Sequence, residues 1–461
     1  MQFQTLFQPA LERPVTAALL GAGEFGLSLL AQARRMQGLA VTAGFDIDPA
    51  RVSRALAAMG VAHRRCAGLA EAQAAEAAGE FALCERLEDL LRLKLDIVVE
   101  ATGHAEAGAA HAEAAIAAGI NVAMVSKEAE CVVGPVLAAK AARAGLCYTL
   151  VDGDQPSLLI GLVSWARLLG LPIVAAGKSS EYDFVIDPVT EEVAWLDQRV
   201  SAKGMMAHWM LGEDRAATVA AREKLLAELP LRTVPDSCEM TLVANATGIL
   251  PDSDAFHAPL ARTVELPDLY APRAAGGLFS GPGKLDVFNC LRRPDEASFA
   301  GGVYVVVELA DDATGRLFAG KGIPVSKDRK RALIYNPSHL LGVEAPTSIM
   351  GAGRLKHSIL GPDYAQRVDL LARSTRDLKA GHVLAIEGNR HAVPGIDPLL
   401  RPAVADGPGA PLPYYMAVGR PLARDVPAGT LITWDMVVPP QGSALWRLRA
   451  EQGAMPRAVA A

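Results

Sequence analysis

Val15-Thr16-Ala17-Ala18-Leu19-Leu20-Gly21-Ala22-Gly23-Glu24-Phe25-Gly26 is the stretch that decides the fold. Its first six residues are an apolar run that glycine stops. Phe25, Leu29, Leu30 and Ala33 then recur at helical spacing, so the stretch reads as strand, turn and helix. A G-x-G-x-x-G alone is a weak signal in a chain with 42 glycines. Between a strand and a helix it acquires meaning: Gly21 permits the tight turn, Gly23 lets the backbone approach a pyrophosphate, and Gly26 lets helix and strand pack closely. The helix N-terminus that opens at Glu24 and Phe25 receives the phosphates.

Outward from this turn, residues 39–45 form a second apolar run that ends in Asp46, and Pro49 sits in the first turn of a helix over 51–59. Asp46 follows Gly26 by 20 residues, at the place where a carboxylate accepts hydrogen bonds from the adenosine ribose and repels a 2′-phosphate. That favours NAD, while Arg51 and Arg54 nearby leave NADP open; Asp48, directly before Pro49, is the better helix cap. Alanine-rich helices at 69–79, 85–93, 105–118 and 134–145 alternate with strands at 96–100, 121–125 and 147–151. This is the pattern of a doubly wound parallel sheet, so residues 1–152 are expected to be a Rossmann dinucleotide-binding domain.

The strand ends carry the chemistry. Asp96-Ile97-Val98-Val99-Glu100-Ala101-Thr102-Gly103 places Thr102 and Gly103 at the carboxyl edge, bordering the nicotinamide ribose. Val125-Ser126-Lys127-Glu128 places Lys127 at the same edge, where an ammonium can donate to a substrate carbonyl or its alkoxide. The plain alternative for Lys127 is a solvated residue at a helix start.

At 461 residues the chain should hold two to three domains. An α/β class is expected throughout: the Rossmann domain, a central α+β catalytic and oligomerisation domain over 153–370, and a small C-terminal β domain over 371–461. Runs at 240–244 and 303–309 read as strands, residues 156–177 as buried helix, turn and strand, and 339–350 as a helix leading back toward the first domain. Within the last domain, Arg376-Asp377-Leu378-Lys379-Ala380-Gly381 is echoed by Arg424-Asp425-Val426-Pro427-Ala428-Gly429, as two related hairpins would produce. In the central region Asp154 and Lys178, each of which follows or ends an apolar run in a Gly-containing turn, are the charged groups expected nearest the reacting atoms, with Asn245 and His339 next and Glu344 weaker. Each has the plain alternative of a loop residue satisfying backbone groups.

Composition narrows the classes. A net charge of −6 argues against a nucleic-acid partner. No apolar stretch reaches the length of a membrane span, so no membrane partner is expected. Cysteines at 66, 84, 131, 147, 238 and 290 include no C-x-x-C pair and read as reduced, buried thiols. Residues 1–14 resemble no leader, so a cytoplasmic protein is expected. No cluster has metal-ligand spacing, which leaves only a divalent ion held by scattered carboxylates and substrate oxygens.

These motifs together carry a resemblance. The GAGEFG turn, the DIVVEATG strand end and the Ser126-Lys127 pair resemble the homoserine-dehydrogenase-like oxidoreductases over the first 150 residues. Gly153-Asp154-Gln155-Pro156-Ser157, Ala176-Gly177-Lys178, Asn245-Ala246-Thr247-Gly248, and Pro337-Ser338-His339-Leu340 with Glu344 resemble the reductoisomerase-like subgroup called DRL. That subgroup joins the same Rossmann domain to a catalytic domain and a C-terminal SAF-like β-clip, and some members convert deoxyxylulose phosphate to methylerythritol phosphate. The 371–461 segment is similar to a SAF domain, with Val418-Gly419-Arg420-Pro421 before the second echo. Two departures matter: NADPH-using members carry a basic residue where this chain has Asp46, and the Gly-x-Asp-x-x-x-Lys helix of homoserine dehydrogenases is missing.

The resemblance implies an NAD(P)-dependent oxidoreductase, a homo-oligomer, acting on the carbonyl or hydroxyl of a small polar substrate, phosphorylated or not, with a reductoisomerase-like step within its range. The competing readings are a homoserine dehydrogenase and a non-catalytic nucleotide sensor whose SAF module binds a carbohydrate or protein.

Overall fold

The computed structural model describes residues 2–388 and 391–455. Seven parallel strands form the first sheet: β1 (Val15–Leu20), β2 (Leu39–Phe45), β3 (His63–Cys66), β4 (Phe81–Cys84), β5 (Ile97–Glu100), β6 (Asn121–Met124) and β7 (Tyr148–Leu150), in the order β3-β4-β2-β1-β5-β6-β7. The chain winds one way from β1 to β2 and the other way from β1 to β5, which opens a crevice at the carboxyl end of β1. Register sets what lines that crevice. Leu20 pairs with Phe45 and Glu100, and Glu100 pairs with Met124, so the glycine turn, Asp46, Thr102 and Lys127 all leave the sheet at one edge.

Helices α1 (Glu24–Ala33), α2 (Pro49–Ala58), α3 (Ala105–Ala117) and α4 (Lys127–Arg143) follow β1, β2, β5 and β6. Asp48 caps α2 by accepting from the Arg51 N–H, as its position before Pro49 implies. Helix α4 is longer than expected and contains Pro135. Glu128 and Glu130 in its first turn, with Lys140 and Arg143 in its last, suit the helix dipole. All six cysteines are free and buried. Among the described residues no helix is long and apolar enough to cross a membrane.

Helix α5 (Gln155–Leu168) leads to β8 (Ile173–Ser179), the middle of a nine-stranded mixed sheet. The strands β9 (Phe184–Ile186), β10 (Glu192–Trp195) and β11 (Gln198–Ser201) form one wing. After α6 (Val234–Thr247) come the two-residue strands β12 (Leu250–Pro251) and β13 (Leu260–Ala261), then β14 (Lys284–Arg292), β15 (Val303–Glu308) and β16 (Arg331–Asn336). β8 pairs in parallel with β14 and antiparallel with β15.

Two expectations need correction. Residues 240–244 are helical, within α6, not a strand. This helix is buried on every side, from Val234 through Asn245, so its apolar run lacks the polar face that reveals a helix. Thr233 at its N-cap and Pro235 in its first turn mark where it begins. Residues 339–350 are not one helix but a 3₁₀ turn, Leu341–Val343, followed by Pro346–Met350 and a wide π turn over Gly351–Leu355. Pro346 prevents continuity.

The segment does return to the first domain. Ala345, Ile349, Met350 and Ala352 share a core with Val15 and Leu29, and Gly342 lies so close to α1 that a Cβ would come within 2.4 Å of the Leu29 nitrogen. Gly153, at φ +89°, faces this crossing chain, and a Cβ there would lie 1.8 Å from the Leu341 carbonyl oxygen.

The C-terminal segment contains the antiparallel pair β17 (Val368–Ser374) and β18 (Ile396–Pro402). Its sequence echo becomes a reciprocal pairing: Leu378 and Val426 exchange backbone bonds of 2.9 and 2.8 Å. Asp425 accepts from the Ala380 N–H and Asp377 from the Ala428 N–H, both at 2.9 Å.

The last helix, α7 (Ala444–Gly453), packs on α3 and α4. Here it repairs the Pro135 interruption. The Gln452 amide donates to the Val132 carbonyl at 2.9 Å and accepts from the Val136 N–H at 3.0 Å, bridging the broken helical bond. Arg449, 1% exposed, pairs with Asp369 and Asp406 alongside. Gln452→Leu keeps the volume but leaves the buried Val136 N–H unpaired and the Val132 carbonyl with only the 3.4 Å contact from Arg449, which should lower stability by roughly 1–3 kcal/mol at the usual cost of an unpaired buried group. Urea unfolding checks this; a loss under about 0.5 kcal/mol would show that the amide is dispensable.

Candidate active site

Each glycine of the first turn has a different environment. Gly21 holds φ +88° and sits 2.8 Å (to a notional Cβ) from the Ala101 backbone, so any side chain there is excluded. A Cβ at Gly26 would meet the Gly21 carbonyl oxygen at 2.7 Å. Gly23 alone is open, with nothing within 4 Å. Closure at two glycines and openness at the third is what a pyrophosphate cradle requires, so these residues fit a dinucleotide.

On one side of the turn a cavity of about 630 Å³ is lined by Gly21, Gly23, Asp46, Arg51 and Thr102. Asp46 is engaged with the turn itself: it accepts from the Ala22 N–H at 2.8 Å, the Asp48 N–H at 2.9 Å and the Arg51 guanidinium at 3.0 Å. Arg51 also donates to the Ala22 carbonyl at 2.9 Å, so arginine and aspartate together clamp the loop. Thr102 donates to the buried Glu100 at 2.6 Å, and the Gly103 N–H donates to Ser126 at 2.8 Å, tying the two strand ends together.

On the other side a cleft of about 330 Å³ is lined by Gly23, Glu24, Phe25, Thr102 and Gly103 and, facing them, Lys127, Asp154, Glu239 and His339. Lys127, first residue of α4, pairs with Asp154 at 3.0 Å and Glu239 at 2.6 Å. Lys178 is not in a turn, as its flanking glycine suggested, but inside β8 and 1% exposed; it pairs with Asp236 at 2.7 Å and with the other oxygen of Glu239. One carboxylate thus joins two ammonium groups from two sheets. Asp154 caps α5, and Asp236 is steadied by Ser180 at 3.0 Å and Thr233 at 2.7 Å.

Charge and burial compete at each group. Burial opposes ionisation of Glu239, yet Lys127 and Lys178 bring its carboxyl down to about 2. Burial likewise opposes the ammonium of Lys127, but Asp154 and Glu239 hold it charged well above the ordinary range, and Asp236 and Glu239 do the same for Lys178. Glu128, beside Lys127, is pushed up to about 7 by burial, which its neighbour's charge only partly offsets.

The structure brings Lys127, Asp154 and His339 to one cleft, His339 held by a 2.9 Å contact with the Gly301 carbonyl, while Lys178 is buried and meets the cleft only through Glu239. It does not bring Asn245 there. That side chain is buried at the far end of α6, accepting from the Arg367 and Val368 N–H groups at 2.7 and 3.0 Å. Glu344 accepts from the Leu340 N–H at 2.8 Å and shapes a loop.

Sequence reasoning missed Glu239, Glu181 and Glu128, and also His391 and Tyr415 of the C-terminal segment, which line the cleft, as well as Asp236, buried against Lys178. The capped start Thr233-Val234-Pro235-Asp236 was the available signal, because Asp236 and Glu239 then fall three apart on one helix face. Asp154, Asp236 and Glu239 are already matched by ammonium groups, and among the described residues no trio of His, Cys, Asp or Glu is arranged to hold an ion.

Residues 21–150 match the homoserine dehydrogenase NAD-binding domain, and residues 153–345 match the catalytic domain of oxidoreductase DRL. No curated protein matches. Among solved structures, an oxidoreductase from Agrobacterium radiobacter in complex with NAD+, L-tartaric acid and magnesium is 16% identical over 37% of this chain and 45% of its own, with a TM-score of 0.26. A scyllo-inositol dehydrogenase from Lactobacillus casei with bound NAD(H) and scyllo-inositol is 17% identical over 39% and 47%, at 0.26. A probable dehydrogenase from Thermotoga maritima is 9% identical over 75% and 90%, at 0.38. The chain spans about half the length of the first two.

A side chain at Gly23 projects into open space in the protein but into the path of a pyrophosphate. Gly23→Val should therefore abolish NAD(H) binding in calorimetry while circular dichroism and melting stay unchanged. Retained affinity would show that this turn holds no dinucleotide.

Proposed function

We propose that this oxidoreductase, which joins a homoserine-dehydrogenase NAD-binding domain to a DRL catalytic domain, transfers hydride between NAD(H) and a carbonyl or hydroxyl carbon of a small polar substrate, phosphorylated or not. The observation that carries the reading is the Lys127–Glu239–Lys178 bridge opening on the same cleft as Thr102 and Gly103. The division into residues 1–152, 153–370 and a SAF-like 371–461 is part of the same proposal.

The nicotinamide, when bound, supplies or accepts the hydride. The chain's residues do the rest. Lys127 presents a permanent positive charge and N–H donors to the oxygen that gains charge as a carbonyl is reduced, and it orients that oxygen. Asp154 and Glu239 hold the ammonium in place from two sides. Lys178 keeps Glu239 ionised, so that Lys127 does not lose its counter-charge to protonation. Glu128, titrating near 7 beside Lys127, is suited to exchange the hydroxyl proton with solvent. An isomerising step before reduction would need a first carbonyl oxygen polarised and a neighbouring hydroxyl proton removed to make the new carbonyl that is reduced; Lys127 and Glu128 are the groups the cleft offers for these tasks.

NAD(H) is the favoured cofactor because Asp46 places a carboxylate beside the adenosine cavity. The wild type should bind NADH more tightly than NADPH, and Arg51→Ala, by removing the guanidinium paired with Asp46, should widen that gap. Tighter NADPH binding by wild type, lost in Arg51→Ala, would instead make Arg51 a 2′-phosphate ligand.

Lys127→Met should lower kcat by about 10²–10³ on whichever carbonyl compound a panel including aspartate semialdehyde identifies, with NADH affinity unchanged. The sign of the pH dependence follows from the raised ionisation. The Lys127 charge is fully present below its ordinary value of 10.5 and is lost only as pH rises through the still higher value in the folded protein. Activity between pH 6 and pH 9 (roughly the range where enzymes are assayed) should therefore show no limb that Lys127→Met removes. A kcat within a few-fold of wild type would exclude Lys127 from the chemical step.

A further inference from the structure

A second cavity, of about 400 Å³, shares Gly103, Glu128, His391 and Tyr415 with the reaction cleft. Its outer wall belongs to the C-terminal segment: Met416, Val418 and Arg420, with the loop that leads into α7. Nothing in the reading above uses this space. We propose that it is a substrate subsite for an anionic terminal group, phosphate or carboxylate, and that Arg420 is its specificity-determining residue. The inference rests on the reaction cleft being where hydride transfer occurs.

The charged groups around the cavity divide by whether they already have partners. Glu106 accepts from the Ser443 hydroxyl and from the Ala444 N–H at 2.7 Å, so its charge caps α7. Glu128 faces the His391 ring at 3.6 Å. What remain are donors. The half-buried Arg420 guanidinium makes no ion pair or hydrogen bond with any described residue, and the His391 Nδ1 atom is buried without a partner.

A guanidinium held in a concave wall, with the Glu106 carboxylate committed to the α7 cap, is a planar five-donor fork that matches an anionic oxygen group. Tyr415 and Trp446 add aromatic surface to the same cavity. A substrate whose reacting carbon lies at Lys127 can run past Glu128 and Tyr415 and end at Arg420. The C-terminal segment would then select the substrate while the two larger domains carry out the reaction.

The side chain can be tested without disturbing the fold, because only the Arg420 backbone is used structurally: its N–H donates to Ala417 at 3.1 Å and its carbonyl accepts from Leu384 at 3.0 Å. Wild type, Arg420→Met and Arg420→Lys, each saturated with NAD+ to form a dead-end complex with a carbonyl compound, are titrated calorimetrically. The probes are dihydroxyacetone, dihydroxyacetone phosphate, hydroxypyruvate and inorganic phosphate.

Wild type should bind at least one anionic carbonyl compound about 10-fold or more tightly than dihydroxyacetone. Arg420→Met should erase that preference, Arg420→Lys should restore part of it, and NAD+ affinity should be the same in all three. Comparing dihydroxyacetone phosphate with hydroxypyruvate decides between phosphate and carboxylate. Equal affinity of wild type for neutral and anionic probes, no binding of any anion, or a preference that survives in Arg420→Met would each overturn the proposal. A failure of the hydride-transfer reading shows elsewhere, as unaltered turnover in Lys127→Met.

Discussion

The carboxylate of Glu239 is the constraint on which the site depends. Lys178 lies inside a central strand at 1% exposure, where an uncompensated ammonium would cost several kcal/mol. It is tolerable only because Glu239 and Asp236 reach it from α6, and α6 can deliver them only if its first turn is fixed against the sheet. Thr233 and Ser180 supply that fixing. The same carboxylate then extends to Lys127, whose helix begins at the edge of the other sheet. Two separately built domains therefore share one ion, and its geometry holds only while both are docked.

The dinucleotide half of this arrangement was legible because its signals are local. A glycine turn, a carboxylate after the second strand and small residues after the fifth strand can each be read within a few positions, and register converts them into one edge. The catalytic half was legible only where a charged residue followed an apolar run beside glycine, as at Asp154. Lys178 was found for a partly wrong reason, since it is a strand residue. Glu239 was missed because a helix buried all round has no amphipathic period, and a carboxylate inside it resembles a misplaced charge until its two partners, 61 and 112 residues away in sequence, are known. Asn245 illustrates the opposite error. An amide near a glycine can serve a ligand or a backbone, and only tertiary packing distinguishes them.

The echo in the C-terminal segment shows a middle case. Two Arg-Asp-x-x-Ala-Gly segments were visible, but sequence could not say that they pair with each other rather than fold as separate hairpins. In the folded chain each aspartate receives an N–H from the opposite copy, so the repeat is a local two-fold in which either half would be incomplete alone. The same segment provides His391 and Tyr415, with no motif that would have announced them.

The Gln452 bridge across Pro135 has a bearing on the order in which this protein is made. The amide and the carbonyl it caps are 320 residues apart. At translation rates of about 5–20 residues per second, the helix that carries Lys127 at its tip emerges on the order of 15–60 s before the side chain that completes it. During that interval the Val132 carbonyl and the Val136 N–H lack the Gln452 amide that pairs with both in the folded chain. Synthesis of α7 is therefore the step that supplies the missing partners, and a chain that stops short of it leaves Lys127 at the tip of a helix whose Pro135 interruption is unbridged.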